Sequence, residues 1–414
     1  MTARQTPSRT SFFEAKARTL IYAAPDGNRM KCDVLVVGGG PAGCMAAAGM
    51  AGELNVKVLE EHAKLGEPVQ CAGLVTPRVV EMASASDAVL NTIDGAYVHF
   101  PGGRVIELQG NGAKAVVVDR GEFDRRCASI AIKAGAEVLP GAKVGPVERV
   151  ADGLRARTAD GEIECRAALA ADGYRSGAAR SLGLGAAKDL VRGLEVDLRL
   201  RAEDQRKVRV FLGNDIAPGF FAWAIPCGDL TRVGLCVSRD KGTPQEHLNR
   251  LLDSQNWSEA ERVRTYSGAI PLGHVDRTYA DRVLVAGDAA GMAKPISGGG
   301  LFTGMTAGKL AAETFLEAFR LGDLTEKSLF RYEERWKRAF GSELRNSYRV
   351  RKVFVRMCDR DLDKAGARLD NEKAKAVLAT GDIDFPTALA PGLLRACPSL
   401  LTIAPLLIFR LLWR

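Results

Sequence analysis

The sequence predicts an α/β fold in which a Rossmann-like nucleotide-binding domain is joined to an antiparallel β-sheet domain and followed by a helical C-terminal region. Three observations carry that prediction. An apolar strand, a glycine turn, an alanine-rich helix and a second strand follow one another over residues 32–60. Four alternating segments crowd the stretch "LEVDLRL", "KVRVFL", "FFAWAIP" and "TRVGLCV", as in an antiparallel sheet. Beyond residue 322 the chain turns basic and helix-forming.

At 414 residues, 46% hydrophobic and 26% charged, the chain has ordinary globular composition and room for several subdomains. The expected division is 31–185 with 270–322 for the nucleotide domain, residues 74–118 contributing to the substrate side, 186–269 for the β-rich domain, and 323–414 for the helical end. Nine cysteines without a CxxC pair, an odd number, argue against a disulfide framework and for a reducing compartment. Four scattered histidines indicate no metal site.

Residues 1–30 read as an N-terminal extension without a secretory h-region, and translation starting at Met30 is a second reading. Val34 to Gly52 carries no charge over 19 residues, but its glycines make it a strand–turn–helix and not a membrane span. "CDVLVVGGGPAG" holds Gly38-x-Gly40-x-x-Gly43, and Glu60 ends the next strand 22 positions after Gly38. That context predicts a dinucleotide site. Gly38 permits the turn, Gly40 admits a pyrophosphate, Gly43 lets helix and strand pack, and Glu60 accepts from ribose hydroxyls. "RARTADGEIECRA" reads as a hairpin.

"AALAADGYRS" and "RVLVAGDAAG" are buried-type strands ending in Asp172-Gly173 and Gly287-Asp288. Taken alone they are ordinary turns. Their order after the glycine motif resembles the flavoprotein superfamily of para-hydroxybenzoate hydroxylase, from about residue 31 to 320. That resemblance implies one bound FAD, with Asp288 on its ribityl chain and Arg120 of "DRGEFDRR" near the flavin and its phosphates. "KPISGGGLFTGMTAGKLAAETF" then opens a helix on three glycines, whose free N–H groups favour the negative charge of a reduced flavin.

"PGFFAWAIP" concentrates aromatics in a chain that is only 6% aromatic. Alternation sets Phe221, Trp223 and Ile225 on one face and Phe220, Ala222 and Ala224 on the other, so both faces are apolar. It is either a core strand or a cavity wall. The segment resembles the aromatic-x-Trp-x-aromatic-Pro stretch of the geranylgeranyl reductase family, with Phe221 for the usual Tyr and Ile225 for the last aromatic. "LGEPVQCAGLVT" matches the same family at Cys71. The resemblance implies a cofactor set of Gly38, Gly40, Pro41, Ala42, Gly43, Glu60, Glu61, Cys71, Ala72, Arg120, Asp172, Gly287, Asp288, Gly298, Gly299, Gly300 and Leu301. It implies a catalytic set of Cys71, Trp223 and Phe221.

An isolated prenyl alkene has no polar handle, so apolar walls must place it. Trp223 is the candidate wall, able to stabilise developing positive charge. Cys71 either donates the proton or packs on the flavin, and water is an equal donor. The expected activity is FAD-dependent saturation of C=C bonds in a prenylated lipid, quinone or prenyl diphosphate. A flavin monooxygenase of the same fold and a non-catalytic lipid carrier are the alternatives; intact flavin motifs speak against the carrier. The electron donor, whether nicotinamide, deazaflavin or ferredoxin, is left open, and no nucleic-acid module is present.

Between Arg331 and Arg360 there are ten Lys/Arg against four Asp/Glu in one expected helical stretch. It is a solvated face or a surface for anionic lipid or phosphate. "ACPSLLTIAPLLIF", 14 uncharged residues from Ala396, is too short to span a bilayer and carries two prolines. Flanked by Arg395, Arg410, Trp413 and Arg414, it reads as a tail lying on a membrane, or else packed on the protein's own surface. The expected location is the cytoplasmic, inner face of the cell membrane.

Overall fold

Valines and leucines without alternation make a strand that only a sheet covered on both faces can hold. In the computed structural model, which describes residues 29–402, β1 (Arg29–Val37) is that strand, with Val34, Leu35 and Val36 fully buried. α1 (Pro41–Met50) follows with proline in its first turn, and β2 (Val56–Glu60) returns parallel to β1. α2 (Arg120–Lys133) starts where the Asp119 side chain accepts from the Glu122 N–H. β3 (Gly161–Ala170) lies parallel to β1 on its other side. Among the described residues these strands belong to an eight-stranded sheet.

The second sheet has seven strands among the described residues and carries the aromatic segment. Its long members are β4 (Asp189–Leu198), β5 (Lys207–Phe211), β6 (Ala222–Cys227), β7 (Leu230–Ser238) and, after α3 (Pro244–Ser254), β8 (Arg262–Leu272). Neighbours run antiparallel with one exception. β5 pairs in parallel with Gly95–His99, which arrives from a distant stretch of chain, so the expectation of a wholly antiparallel sheet is corrected there. Alternation then sorts the faces. Val196, Leu198, Ala222, Ala224, Val233, Leu235 and Val237 bury against Leu248, Leu251 and Leu252 of α3. On the opposite face Val208, Ile225 and Trp223 pack with Ile93, Ala115 and Val117 of a separate three-stranded sheet.

β9 (Val283–Val285) extends the first sheet beside β3, and α4 (Leu301–Leu321) packs across α1. That crossing is close because Gly308 has no side chain: a Cβ there would lie 2.2 Å from the Ala42 carbonyl oxygen. The basic stretch is not the single helix expected from sequence. α5 (Glu326–Trp336) passes through a π-helical turn at Lys337–Gly341 into α6 (Ser342–Phe354), and a new helix starts at Asp359. Nor is it one solvated face. Tyr332, Trp336, Phe340 and Leu344 are buried, Arg335 pairs with Glu317, and buried Arg351 pairs with Asp189 at 2.8 Å. Arg345, Arg349 and Lys352 remain exposed along one side of α6.

No helix among the described residues is long and apolar enough to cross a membrane. Residues 1–28 of the expected N-terminal extension and half of the 14-residue apolar tail, from residue 403 on, lie outside the described residues; Arg29 and Met30, placed in the extension from sequence, already belong to β1.

Candidate functional site

The glycine turn after β1 answers three separate steric demands. Gly38 has φ +104°, and a Cβ there would sit 2.4 Å from the Ala171 carbonyl oxygen, so the Asp172 segment crosses the turn at this point. At Gly43 a Cβ would meet the Gly38 carbonyl oxygen at 2.2 Å, while at Gly40 it would meet nothing within 4 Å. Gly40 thus faces open space at the N-terminus of α1, where Pro41 and Ala42 start the helix. Unpaired N–H groups and the helix dipole favour an anion there. The Gly39 N–H donates to Glu60 Oε2 at 2.8 Å, which stations Glu60 beside the turn.

Two expected residues are engaged elsewhere. Glu61 is exposed and pairs with Lys143 at 2.9 Å. The Asp172 carboxylate accepts from the Ser176 hydroxyl at 2.5 Å and the Ala178 N–H at 3.1 Å, so its side chain holds the short helix Gly177–Ser181. It is the backbone before Asp172 that meets the glycine turn.

A second cluster forms where α2 and α4 begin. Arg120 grips Asp124, with Nη2 to Oδ1 at 3.0 Å. Burial opposes the guanidinium charge, yet Asp124 and Cys71 beside it hold its pKa well above the ordinary value. Gly287, with φ +66°, brings Asp288 towards α4: a Cβ on Gly300, the N-cap of α4, would lie 3.1 Å from Asp288 Oδ1. Burial pushes the Asp288 carboxyl up to about 6 and Arg120 acts against that. Leu301 opens the helix, Gly298 lies under the Phe220 ring and Gly299 beside Lys294. Lys294 is itself buried; its ammonium pairs with Asp384 at 2.7 Å and donates to the Ile383 carbonyl at 3.0 Å. Asp384 also accepts from the Thr76 hydroxyl at 2.6 Å.

The inner face of the second sheet closes the site. Arg232 donates to the carbonyls of Ala72 at 2.8 Å and Val118 at 3.0 Å, tying the Cys71 segment to β7. Cys71 is half-buried, with its sulfur 3.5 Å from the Gly73 nitrogen. Trp223, Ile225, Ala72 and Ile383 share one apolar cluster. Phe221 meets Trp223 edge-on at 6.0 Å. Phe220 does not take the opposite face as alternation predicts. β6 begins only at Ala222, and the turn at Gly219 stacks Phe220 on Phe221 at 4.5 Å.

Sequence reasoning missed Glu195, Asp197, Arg232, Gly234, Lys294 and Asp384. "LEVDL" carries two acids at alternate positions, which looks like a solvated strand face; here both are buried, 5% and 3% exposed. Alternation tells which residues share a face, not whether that face meets water. The assembled site offers two helix N-termini and strand-end acids to a phosphate-bearing cofactor, and an aromatic wall to an apolar ligand.

Comparison with known proteins follows the same division. Residues 33–380 match the family described as lycopene cyclase protein. The digeranylgeranylglycerophospholipid reductase of Methanothrix thermoacetophila is 32% identical over 384 residues, 88% of this chain and 98% of its own. A geranylgeranyl bacteriochlorophyll reductase-like protein of Thermoplasma acidophilum superposes with a TM-score of 0.82 at 24% identity, covering 92% of this chain and 100% of that one. A variant of the halogenase PltM in complex with FAD superposes at 0.64 with 16% identity, over 86% and 87% of the two chains.

Proposed function

Because the chain belongs to the family described as lycopene cyclase protein and is related over most of its length to digeranylgeranylglycerophospholipid reductases, we propose that it reduces the C=C bonds of geranylgeranyl-type chains in a membrane lipid with FAD as its cofactor. The observation that carries this reading is Trp223 facing the Cys71 segment, an aromatic wall set beside the loop that opens α4. The residues fit the cofactor. Gly40 leaves space that would admit a pyrophosphate, Glu60 would accept from the ribose, and Arg120, Asp288 and Gly298–Gly300 would hold the flavin. Reduced FAD supplies hydride.

The chain's own groups do the rest. Phe221, Trp223 and Ile225 hold an alkene that offers no hydrogen bond, and the wall excludes water from it. Cys71 supplies the proton or passes one from water to the second alkene carbon. The α4 N-terminus stabilises negative charge at the flavin position. Hydroxylation, the alternative, rests on the shared fold alone.

We further propose that the enzyme works on the inner membrane surface, with exposed Arg345, Arg349 and Lys352 and the 396–409 tail as its contacts. Each basic residue near an anionic surface adds about 1 kcal/mol. Mass spectrometry of host lipids with and without the protein tests the function. Prenyl chains gaining two hydrogens per bond are expected; an unchanged lipid profile with an FAD-loaded protein and a supplied reductant overturns it.

A further inference from the structure

Trp223 does not rest against a flat sheet. On β7 it faces Gly234, which in turn faces Glu195 on β4. The indole lies across that glycine: a Cβ on Gly234 would sit 2.7 Å from Trp223 Cε2 and Cζ2. Having crossed β7, the ring places its N–H against Glu195, and Nε1 donates to Oε2 at 2.6 Å. Glu195 is 5% exposed.

The groups around Glu195 come from every strand beside it. Asp197 lies two residues along β4; Arg232 and Cys236 face inward from β7; Tyr266 is its partner on β8; and the Cys71 segment covers them. Arg232 is shared among Asp197, Ala72 and Val118, and the Tyr266 hydroxyl donates to Asp197 at 2.9 Å. The indole N–H is therefore the donor left to Glu195.

We propose that Glu195 is a positioning residue that acts on the alkene through Trp223, fixing the plane of the indole and, as a carboxylate, making its face more electron-rich. The proposal rests on the reading of Trp223 as the wall beside the substrate. When a proton joins one alkene carbon, the π pair forms that C–H bond and positive charge develops on the other carbon. The second C–H bond would come from the hydride that a bound reduced flavin would supply, its two electrons leaving the flavin oxidised. An aromatic face attracts that transient positive charge, and a negative group behind the ring strengthens the attraction. Burial pushes the Glu195 carboxyl up to about 7, Trp223 and Arg232 pull it down, and Asp197 pushes it up. The effect is present above that pH and lost below it.

The test compares Glu195→Gln, which keeps an acceptor for the indole but no charge, with Trp223→Phe and the double variant. All are assayed on a geranylgeranyl lipid with FAD content measured. Above about pH 8, Glu195→Gln is expected to lower kcat about tenfold with KM little changed, and the gap narrows towards about pH 5.5. Glu195→Asp should restore part of the alkaline rate. In the Trp223→Phe background Glu195→Gln should cost nothing more, since the groups act as one. Wild-type kcat in Glu195→Gln, or additive losses in the double variant, overturns the proposal. Normal turnover in Trp223→Phe, which keeps an aromatic face but has no N–H for Glu195, overturns the proposal as well, whereas normal turnover in Trp223→Ala overturns the wall reading instead. Independently of turnover, the Trp223 indole N–H signal in ¹⁵N-labelled protein should shift with pH and lose that shift in Glu195→Gln. A pH-invariant wild-type signal overturns the proposal even if the variants fail to fold.

Discussion

Gly40 and Gly234 both lack a side chain where one would otherwise stand, and they use the space in opposite ways. At Gly40 the missing Cβ faces nothing within 4 Å, so the room belongs to a ligand from outside the chain. At Gly234 the room is already filled, by the protein's own indole. The nucleotide half of the site is therefore backbone shaped to receive, and the lipid half is side chains shaped against one another. Substitution should separate the two: the first kind of glycine governs what binds, the second governs how a bound substrate is held.

The largest expected effect is at Gly40. Its φ of −71° suits any residue, so Gly40→Val should fold normally yet lose FAD at least tenfold by visible absorbance, through steric exclusion of the pyrophosphate. Unfolding of the variant would erase the contrast with Gly234. Next comes Trp223→Ala, for which prenyl reduction should fall far more than FAD content or flavin photoreduction. Equal losses in all three would return β6 to a plain core strand. Gly234→Ala should do the same more mildly, with overpacking costing about 1–3 kcal/mol in urea unfolding.

A third pair of variants sharpens where the two halves meet. Lys294 and Asp384 are both almost fully buried, but Asp384 keeps Arg78 at 3.3 Å and the Thr76 hydroxyl at 2.6 Å when Lys294 is lost, so Lys294→Met should destabilise by about 1–3 kcal/mol, less than an unpaired buried carboxylate would cost. Asp384→Leu, which takes the carboxylate from buried Lys294, from Arg78 and from Thr76 together, should cost more, about 3–5 kcal/mol. The last effect is on pH dependence. The folded-state pKa of Glu195 is raised from 4.5 to about 7, so its contribution is full below about pH 4.5 and lost as pH rises through about 7. Glu195→Gln should therefore remove a fall in stability on the order of 3 kcal/mol between about pH 5 and pH 8, read by urea titration of the FAD-free protein. A fall retained in the variant would place the titration on another group.

The same contrast explains what could be read from the sequence. Gly38, Gly40 and Gly43 answer local needs of one turn, so their spacing is visible in twelve adjacent letters. The aromatic strand was visible for the same reason, apart from Phe220, whose direction depends on where β6 starts. Glu195, Gly234 and Trp223 are neighbours only across three strands, and nothing in "LEVDL" says that its acids turn inward. Asp384 is further still from Lys294 along the chain, in a region without a motif. The 331–360 stretch was legible as helical and basic, but neither the burial of Tyr332, Trp336, Phe340 and Leu344 nor that of Arg351 was foreseen, because a run of basic residues looks solvated.

The Lys294–Asp384 contact also sets an order of events during synthesis. Every other residue named in the site precedes Asp384 in the chain, so each emerges from the ribosome while the glycine loop still has no buried partner for its lysine. The contact that fixes Lys294 therefore waits for a segment 90 residues further along the chain.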